Sequence, residues 1–367
     1  MSHEITNPCQ SSLLPLWYVA SPLVAWALFA ITLLGADGLV VLLVTGGLIA
    51  SVLAAVHHAE VVAHRVGEPF GTLVLALAVT LIEVALILSL MMAGGPESAV
   101  LARDTVFAAV MLILNGMVGL CLLMGGARHH EQHFGLDGVK AALTTLAAIT
   151  VLTLILPNFV DSASGPHYSN SQLAFIAVIS LVLYGTFVLI QTVRHRDYFL
   201  PAVGAQHEHV HAAPPSNKVT AFSGLLLLAC LGAVVLLAKV LAPTVELAVV
   251  SVGAPNGLVG IIIAAVVLLP EGVAALRAAR NNRLQTSLNL ALGSALASIG
   301  LTIPAVAMLS LITGQTLTLG LDAHSMVLLL LSLFVSAIAL STGRTTILPG
   351  VVMLVLFAVY LFTTIVP

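Results

Sequence analysis

The sequence predicts an all-α polytopic membrane protein with about eleven transmembrane helices, one at the N-terminus followed by two five-helix repeats of inverted topology. Three observations support this fold class: an apolar composition, long uninterrupted hydrophobic runs, and a short motif that occurs twice. Hydrophobic residues make up 60% of the 367 residues and charged residues 7%, whereas a soluble domain has about 45–50% and 25%. This composition excludes secreted disulfide scaffolds, cytosolic enzymes and nucleic-acid binders, and the net charge of −3 offers nucleic acid no basic surface.

Eleven apolar runs are long enough to cross a bilayer, which takes about 20 residues as an α-helix. The runs are continuous rather than alternating, which disfavours a transmembrane β-barrel. No Lys or Arg precedes the first run, which is long enough to span, so we expect a membrane helix there and not a cleavable signal peptide. The predicted segments are residues 16–34, 39–63, 70–93, 105–124, 139–157, 172–193, 219–250, 258–278, 288–312, 325–342 and 346–366.

The basic residues of the predicted loops indicate the orientation. If the segments alternate in direction, ten Lys and Arg residues fall on the side of the N-terminus: Arg65, Arg128, Lys140, Arg194, Arg196, Lys218, Arg277, Arg280, Arg283 and Arg344. The opposite side has only Arg103, with Lys239 in the outer half of segment seven. Because basic loops stay in the cytoplasm, we expect the N-terminus inside the cell and the C-terminus outside.

A short motif, E-x6-G-x-P-x-G, begins at Glu60 and again at Glu246. Gaps of eleven and thirteen residues separate the last Gly of each copy from Glu83 and from Glu271. The copies fall on equivalent helix pairs, segments two–three and seven–eight. Because five helices separate the copies, they cross the membrane in opposite directions. Inverted repeats are typical of secondary transporters, whose substrate site lies near the midplane between the halves.

The repeat also predicts how the chain is organised. We expect an N-terminal tail and first helix at 1–37, the first repeat at 38–193, a cytoplasmic His-rich linker at 194–218 and the second repeat at 219–367. The linker holds His207, His209 and His211 close together. Histidines titrate near neutral pH and bind transition metals, so this segment is a candidate regulator. A solvated, flexible loop is the alternative.

Glu83 and Glu271 are the most informative residues, since each lies about thirteen residues into an apolar segment. At about 1.5 Å per residue, both fall roughly 20 Å from the start of their helices, inside the hydrocarbon layer. An ionisable group there costs about 2.5–3.5 kcal/mol. One interpretation is that each is permanently protonated and hydrogen-bonded to a neighbouring helix. The other is a cation site, because either two protons or one divalent cation neutralises the pair.

Residues close to these acids extend the candidate site. Pro270 lacks a backbone N–H and Gly272 adds room, which predicts a helix break that exposes carbonyls, or a simple kink. Ser294 and Ser298 lie on a small-residue face of segment nine, which is typical of close helix packing and would also suit an ion site. Asn115 in segment four is either a ligand or an interhelical hydrogen-bonding group.

Glu60 and Glu246 are predicted to lie near the two membrane surfaces. They are candidates for attracting cations to the two entrances. Capping or solvating the helix ends is the alternative role for both.

The stretch L-L-P-E-G-V-A-A-L-R, continuing to G-S-A-L-A-S-I-G-L-T-I-P, resembles the second signature repeat of the calcium/cation antiporter superfamily. The segment G-G-A-R-H-H-E-Q-H-F after segment four is similar to the one that follows the first repeat in these exchangers. The chain resembles most the bacterial Cha-type sodium/calcium–proton antiporters, which are related to the vacuolar cation/proton exchangers. The resemblance implies a sodium/calcium exchanger-like fold in the bacterial inner (plasma) membrane.

The resemblance also implies roles for individual residues. It matches Glu83 and Glu271 to the paired acids that bind the transported cation, and Ser294 and Asn115 to polar residues of the two repeats. The sequence departs from the vacuolar pattern before each acid, where Val-Thr-Leu and Val-Leu-Leu stand in place of Gly-Asn-Ala, and at Ala297, where Gln is expected. Loss of these amides argues against strict calcium selectivity. The Cha-type branch implies sodium, with potassium as a further candidate, beside calcium.

Together these observations predict a secondary active transporter that exchanges cytoplasmic calcium or sodium for external protons by alternating access. Its partners would be small inorganic cations, protons and membrane lipid, with no cofactor, no nucleic acid and no enzymatic activity. A cation channel and a sodium-coupled calcium exchanger are the alternatives, although a channel needs a more continuous polar pore. The sequence has no H-E-x-x-H or G-x-S-x-G protease motif, no P-loop for an ATP-driven pump, and no basic residue at the midplane for an anion.

Overall fold

The computed structural model describes residues 15–33, 39–66, 70–93, 99–161, 165–200, 215–251 and 257–366. These residues form twelve α-helices. Their bounds are α1 Leu16–Thr32, α2 Leu39–Val66, α3 Phe70–Ala93, α4 Leu101–Met111, α5 Gly119–His129, α6 Leu136–Thr150, α7 Asn170–Leu189, α8 Asn217–Ser251, α9 Gly257–Arg280, α10 Leu284–Thr313, α11 Ala323–Ala339 and α12 Ile347–Ile365. Strands β1 Gln132–His133 and β2 Arg344–Thr345 complete the regular structure together with short π- and 3-10-helical segments.

Each predicted membrane segment overlaps a described helix, and α4 and α5 share one segment. Seven continuous helical stretches are long and apolar enough to span, and an eighth, in α9, is bent by 55° between Leu269 and Glu271. Three shorter apolar helices, Leu16–Thr32, Leu77–Ser89 and Ala323–Ala339, correspond to the remaining segments. Backbone groups in lipid must bond within their own segment, which is why continuous apolar runs become helices.

Several helices begin a few residues away from the predicted segment boundaries. Segment four was expected to start at residue 105 and segment nine at 288, but their helices begin at Leu101 and Leu284. Each helix extends about one turn beyond its apolar run, and in α10 the polar residues of this turn pack inside the protein, with Gln285 4% and Ser287 1% exposed. In segment four, the π-helical stretch Leu112–Val118 joins α4 to α5, so that one span contains two helix types.

The loops rich in basic residues meet at one end of the bundle. Strands β1 and β2 pair antiparallel there, with Gln132 opposite Thr345, and so tie the loop after α5 to the loop before α12. Arg65 Nη2 donates to Asn217 Oδ1 at 2.6 Å, which links the ends of α2 and α8. At the other end, Arg103 Nη1 donates to the carbonyl of Gly320 at 3.0 Å. The sequence did not predict the two-stranded ladder.

The core of the bundle consists of α3, α4, α5, α9 and α10, which pack against one another across the two halves of the chain. Close crossings need glycine: a Cβ on Gly350 of α12 would lie 2.5 Å from the backbone nitrogen of Leu123 in α5. Outward faces carry large exposed apolar side chains, including Phe175, Phe334 and Phe362. Exposed apolar surface of this kind suits contact with lipid.

Candidate functional site

Two carboxylates lie buried in the centre of the bundle. Glu83 is on α3 and Glu271 is on α9, and each is 2% exposed. Ser298 Oγ donates a hydrogen bond to Glu83 Oε1 at 2.5 Å. Ser294 Oγ donates to Glu271 Oε2 at 3.0 Å. Each acid therefore has its own serine.

Helix α10 brings the two acids together. It packs against both α3 and α9. Ser294 and Ser298 are buried side chains of α10 that lie one helical turn apart. One turn advances an α-helix by about 5–6 Å, so the two carboxylates meet successive turns of the same helix. Ala295 and Ala297 lie between the serines and Gly293 precedes them, and small residues of this kind let the neighbouring helices approach closely.

The backbone of α9 changes direction at the acid. Its two limbs, Gly260–Leu269 and Glu271–Arg280, meet at 55°, so the bend falls at Pro270 and Glu271 opens the second limb. Proline removes a backbone donor and frees a carbonyl one turn earlier. Gly272 follows, and a Cβ there would lie 3.4 Å from Met117 Cε in the π-helical segment. The two segments are therefore in contact at Gly272.

Asn115 lies in the π-helical stretch Leu112–Val118 and is fully buried. Its Nδ2 donates to Ser332 Oγ of α11 at 2.7 Å. Its Oδ1 has no hydrogen-bond partner among the described residues. π-Helical turns inside α-helices are frequent at functional sites. The structure therefore shows an interhelical bond made by the amide nitrogen together with a free, buried carbonyl oxygen.

The other predicted site residues lie away from this centre or outside the described part of the chain. Glu60 is exposed on α2. The side chain of Glu246 and the linker residues His207, His209 and His211 are not among the described residues. The same holds for residues 67–69 and 252–256, which contain the turns of the repeated motif.

A cluster of aromatic and imidazole rings lies between α1 and α2. His57 and His58 are both within α2, which continues to Val66. His58 is fully buried, with Nε2 3.3 Å from the carbonyl oxygen of Tyr18. The His57 ring stacks on Tyr18 with centroids 3.7 Å apart. The apolar pattern of α2 cannot predict these contacts, because their partner, Tyr18, belongs to α1.

The donor set of the site suits hard cations. Carboxylate, hydroxyl and backbone carbonyl oxygens are the ligands that such cations prefer. Within the described ranges, no cluster of three or more His, Cys, Asp and Glu residues is arranged to hold a metal ion.

A helical bundle of membrane-spanning length, with two acids buried at its centre, is typical of polytopic membrane transporters. The sequence profile described as sodium/calcium exchanger protein matches residues 38–193 and 222–366. The chain belongs to this family, whose members are cation antiporters, and it is therefore a multi-pass transporter and not an enzyme. The predicted relationship to the calcium/cation antiporters is confirmed.

Curated relatives extend over most of the chain. Putative ionic transporter y4hA of Sinorhizobium fredii is 48% identical over 362 residues, 98% of each chain. Sodium-potassium/proton antiporter ChaA of Escherichia coli is 38% identical over 319 residues, 86% of each chain. A Ca(2+)/H(+) antiporter of Aphanothece halophytica is 24% identical over 272 residues, 70% of this chain and 72% of the relative.

Solved structures share the fold. Native YfkE aligns with a TM-score of 0.71 and 17% identity, covering 96% of this chain and all of its own. The H+/Ca2+ exchanger CAX aligns with a TM-score of 0.69 and 16% identity, covering 95% of this chain and 88% of its own. These likenesses confirm the predicted all-α, polytopic exchanger fold.

Proposed function

We propose that this protein exports calcium or sodium, with potassium as a further candidate, in exchange for protons, and that Glu83 and Glu271 form the shared binding site. One observation carries the proposal: two buried carboxylates from different helices bind serines on successive turns of α10. The names of two relatives, a sodium-potassium/proton antiporter and a Ca(2+)/H(+) antiporter, support exchange of a cation for protons.

Electrostatics couples the two fluxes. Two negative charges in an apolar bundle are costly, so the pair is stable when protons or a cation neutralise it. Ser294 and Ser298 suit both occupancies, since a hydroxyl donates to a carboxylate, accepts from a carboxylic acid and offers a lone pair to a cation. Protons and the cation therefore compete for the same oxygens. Exchange follows if only the neutralised site reorients.

The contacts between helices support an inverted repeat with halves at residues 38–193 and 219–367. Helix α3 of the first half packs on α10 of the second, and α9 of the second half packs on α4 and α5 of the first. A two-fold axis in the membrane plane that exchanges the halves would relate these two contacts. We propose that α9 hinges at its bend between Leu269 and Glu271 as the transporter changes between its inward- and outward-open states. Alternating access around a fixed acidic pair is the mechanism that we propose.

Orientation in a bacterial inner membrane is part of the proposal. Ion pairs and hydrogen bonds gather the basic loops at one end of the bundle, as with Arg344 Nη1, 3.6 Å from Glu131 Oε1. By the positive-inside rule this end faces the cytoplasm, which puts the N-terminus inside and the C-terminus outside. Exported cations would then leave at the end where Arg103 contacts Gly320.

The test is proton flux in proteoliposomes or everted vesicles after addition of calcium, sodium or potassium. We expect Glu83→Gln and Glu271→Gln each to abolish cation-dependent proton movement. Glu131→Gln makes the same chemical change in an exposed loop and should retain it. Proton movement that survives in both site variants would contradict the proposal. Sodium-dependent calcium movement without proton flux in the wild type would instead identify a sodium-coupled calcium exchanger.

A further inference from the structure

The hydroxyl of Ser332 determines which end of the Asn115 amide it binds. Ser332 Oγ lies 2.7 Å from the carbonyl oxygen of Leu328 and donates its hydrogen to it, back along α11. A hydroxyl has one hydrogen, so toward Asn115 it can only accept. The amide atom 2.7 Å away is therefore the nitrogen, Nδ2. Met111 Sδ, 3.7 Å from Nδ2, is a weak acceptor that favours the same orientation.

This orientation leaves the carbonyl oxygen of Asn115 free. Oδ1 is buried and lacks a hydrogen-bond partner among the described residues. Native proteins leave few buried acceptors unpaired because the loss of hydration is costly, so a fully buried free carbonyl needs a reason. An amide carbonyl oxygen is also a ligand that hard cations prefer.

Asn115 lies on a segment next to the helices of the candidate site. The π-helical stretch Leu112–Val118 packs against both α9 and α10, the helices that carry Glu271 and its serine. The free carbonyl oxygen of Asn115 is therefore carried by a stretch that borders the helices of the cation site.

We propose that Ser332 is a positioning residue for transport: it holds Asn115 Nδ2, and thereby keeps Oδ1 available to the transported cation. The inference rests on the proposed function. Ser332 lies on α11, outside the repeated motif and outside the helices that carry the acids. It acts through Asn115, and its loss should weaken cation binding more than it slows turnover.

The test compares Ser332→Ala with Ser336→Ala. Ser336 lies one turn further along α11, is fully buried, and its Oγ lacks a partner among the described residues, so it is a matched control. The measurement is proton flux in proteoliposomes against calcium or sodium concentration, normalised to the amount of inserted protein. We expect Ser332→Ala to raise the KM for the cation about five- to tenfold with little change in the maximal rate, the size expected for one buried hydrogen bond. Ser336→Ala should leave both unchanged.

A second comparison tests whether Ser332 acts through Asn115. If it does, Ser332→Ala should add nothing in an Asn115→Ala background, since interacting residues are not additive. An unchanged KM in Ser332→Ala would overturn the inference, and so would an equal change in Ser336→Ala. Fully additive effects of Ser332→Ala and Asn115→Ala on KM would also overturn it, although the proposed antiport would stand. If Asn115→Ala is inactive, the comparison of the two serine variants decides. A wild type that moves no protons with any cation would contradict the proposed function itself.

Discussion

Replacing Ser298 by Ala tests the hydrogen bond to Glu83 with little change in shape. The substitution removes one oxygen, which donates to Glu83 Oε1 at 2.5 Å, and leaves a residue type that already lines this face of α10. Ser298 is 1% exposed, so solvent does not replace the lost donor. Ser294→Ala makes the same change at Glu271, where the bond is longer, 3.0 Å.

The size of the effect follows from the kind of bond. A hydrogen bond to a charged group contributes about 1.5–3 kcal/mol, and short bonds are the stronger ones. Since about 1.4 kcal/mol corresponds to a tenfold change in an equilibrium constant, Ser298→Ala should raise the cation concentration for half-maximal exchange by about tenfold or more. The hydroxyl stabilises the ionised carboxylate that receives the cation. The longer bond predicts a smaller effect for Ser294→Ala.

The assay is cation-dependent proton flux in proteoliposomes over a range of calcium and sodium concentrations. Thr302→Val is the control, because Thr302 lies one turn beyond Ser298 on α10 and its buried hydroxyl has no partner within the described ranges. It should leave half-saturation unchanged. Wild-type half-saturation in Ser298→Ala would refute the reasoning, and so would a larger effect of Ser294→Ala than of Ser298→Ala.

Two further predictions concern stability in detergent, measured by thermal unfolding. Gly350→Ala should lower the free energy of unfolding by about 1–3 kcal/mol, because its Cβ would lie 2.5 Å from the backbone nitrogen of Leu123. An unchanged melting temperature would contradict the close contact between α12 and α5 at this position. Asp322→Ala should lower the free energy of unfolding by about 1 kcal/mol. Asp322 Oδ1 caps the N-terminus of α11 by accepting a hydrogen bond from the Ser325 N–H at 2.9 Å. Partial burial raises the pKa of Asp322, but hydrogen bonds from Ser325 and the charge of His324 outweigh it, so the pKa lies below its usual 3.8. The cap therefore contributes fully above pH 3.8 and is lost as the pH falls through the lower native pKa, so a difference between wild type and variant that persists in strong acid would contradict the role.

The sequence alone determined the fold class and the central acids. Each spanning segment must form the hydrogen bonds of its backbone N–H and C=O groups within itself and present apolar side chains to lipid. The membrane helices can therefore be recognised from local composition. The same rule makes Glu83 and Glu271 conspicuous, because an ionisable residue deep in an apolar run is costly wherever the rest of the chain lies. The proline next to Glu271 likewise predicts the bend that the backbone of α9 shows.

Only the tertiary structure decided which groups meet. Ser298 binds Glu83 from a position 215 residues away, and Asn115 binds Ser332 across 217 residues. Helical periodicity places the two serines on one face of α10, but their partners depend on how α3 and α9 are rotated and packed. His58 shows the same limit, since its contact with Tyr18 arises from the docking of α1. Insertion into a membrane is a property of each segment, whereas pairing of polar groups is a property of the assembled bundle.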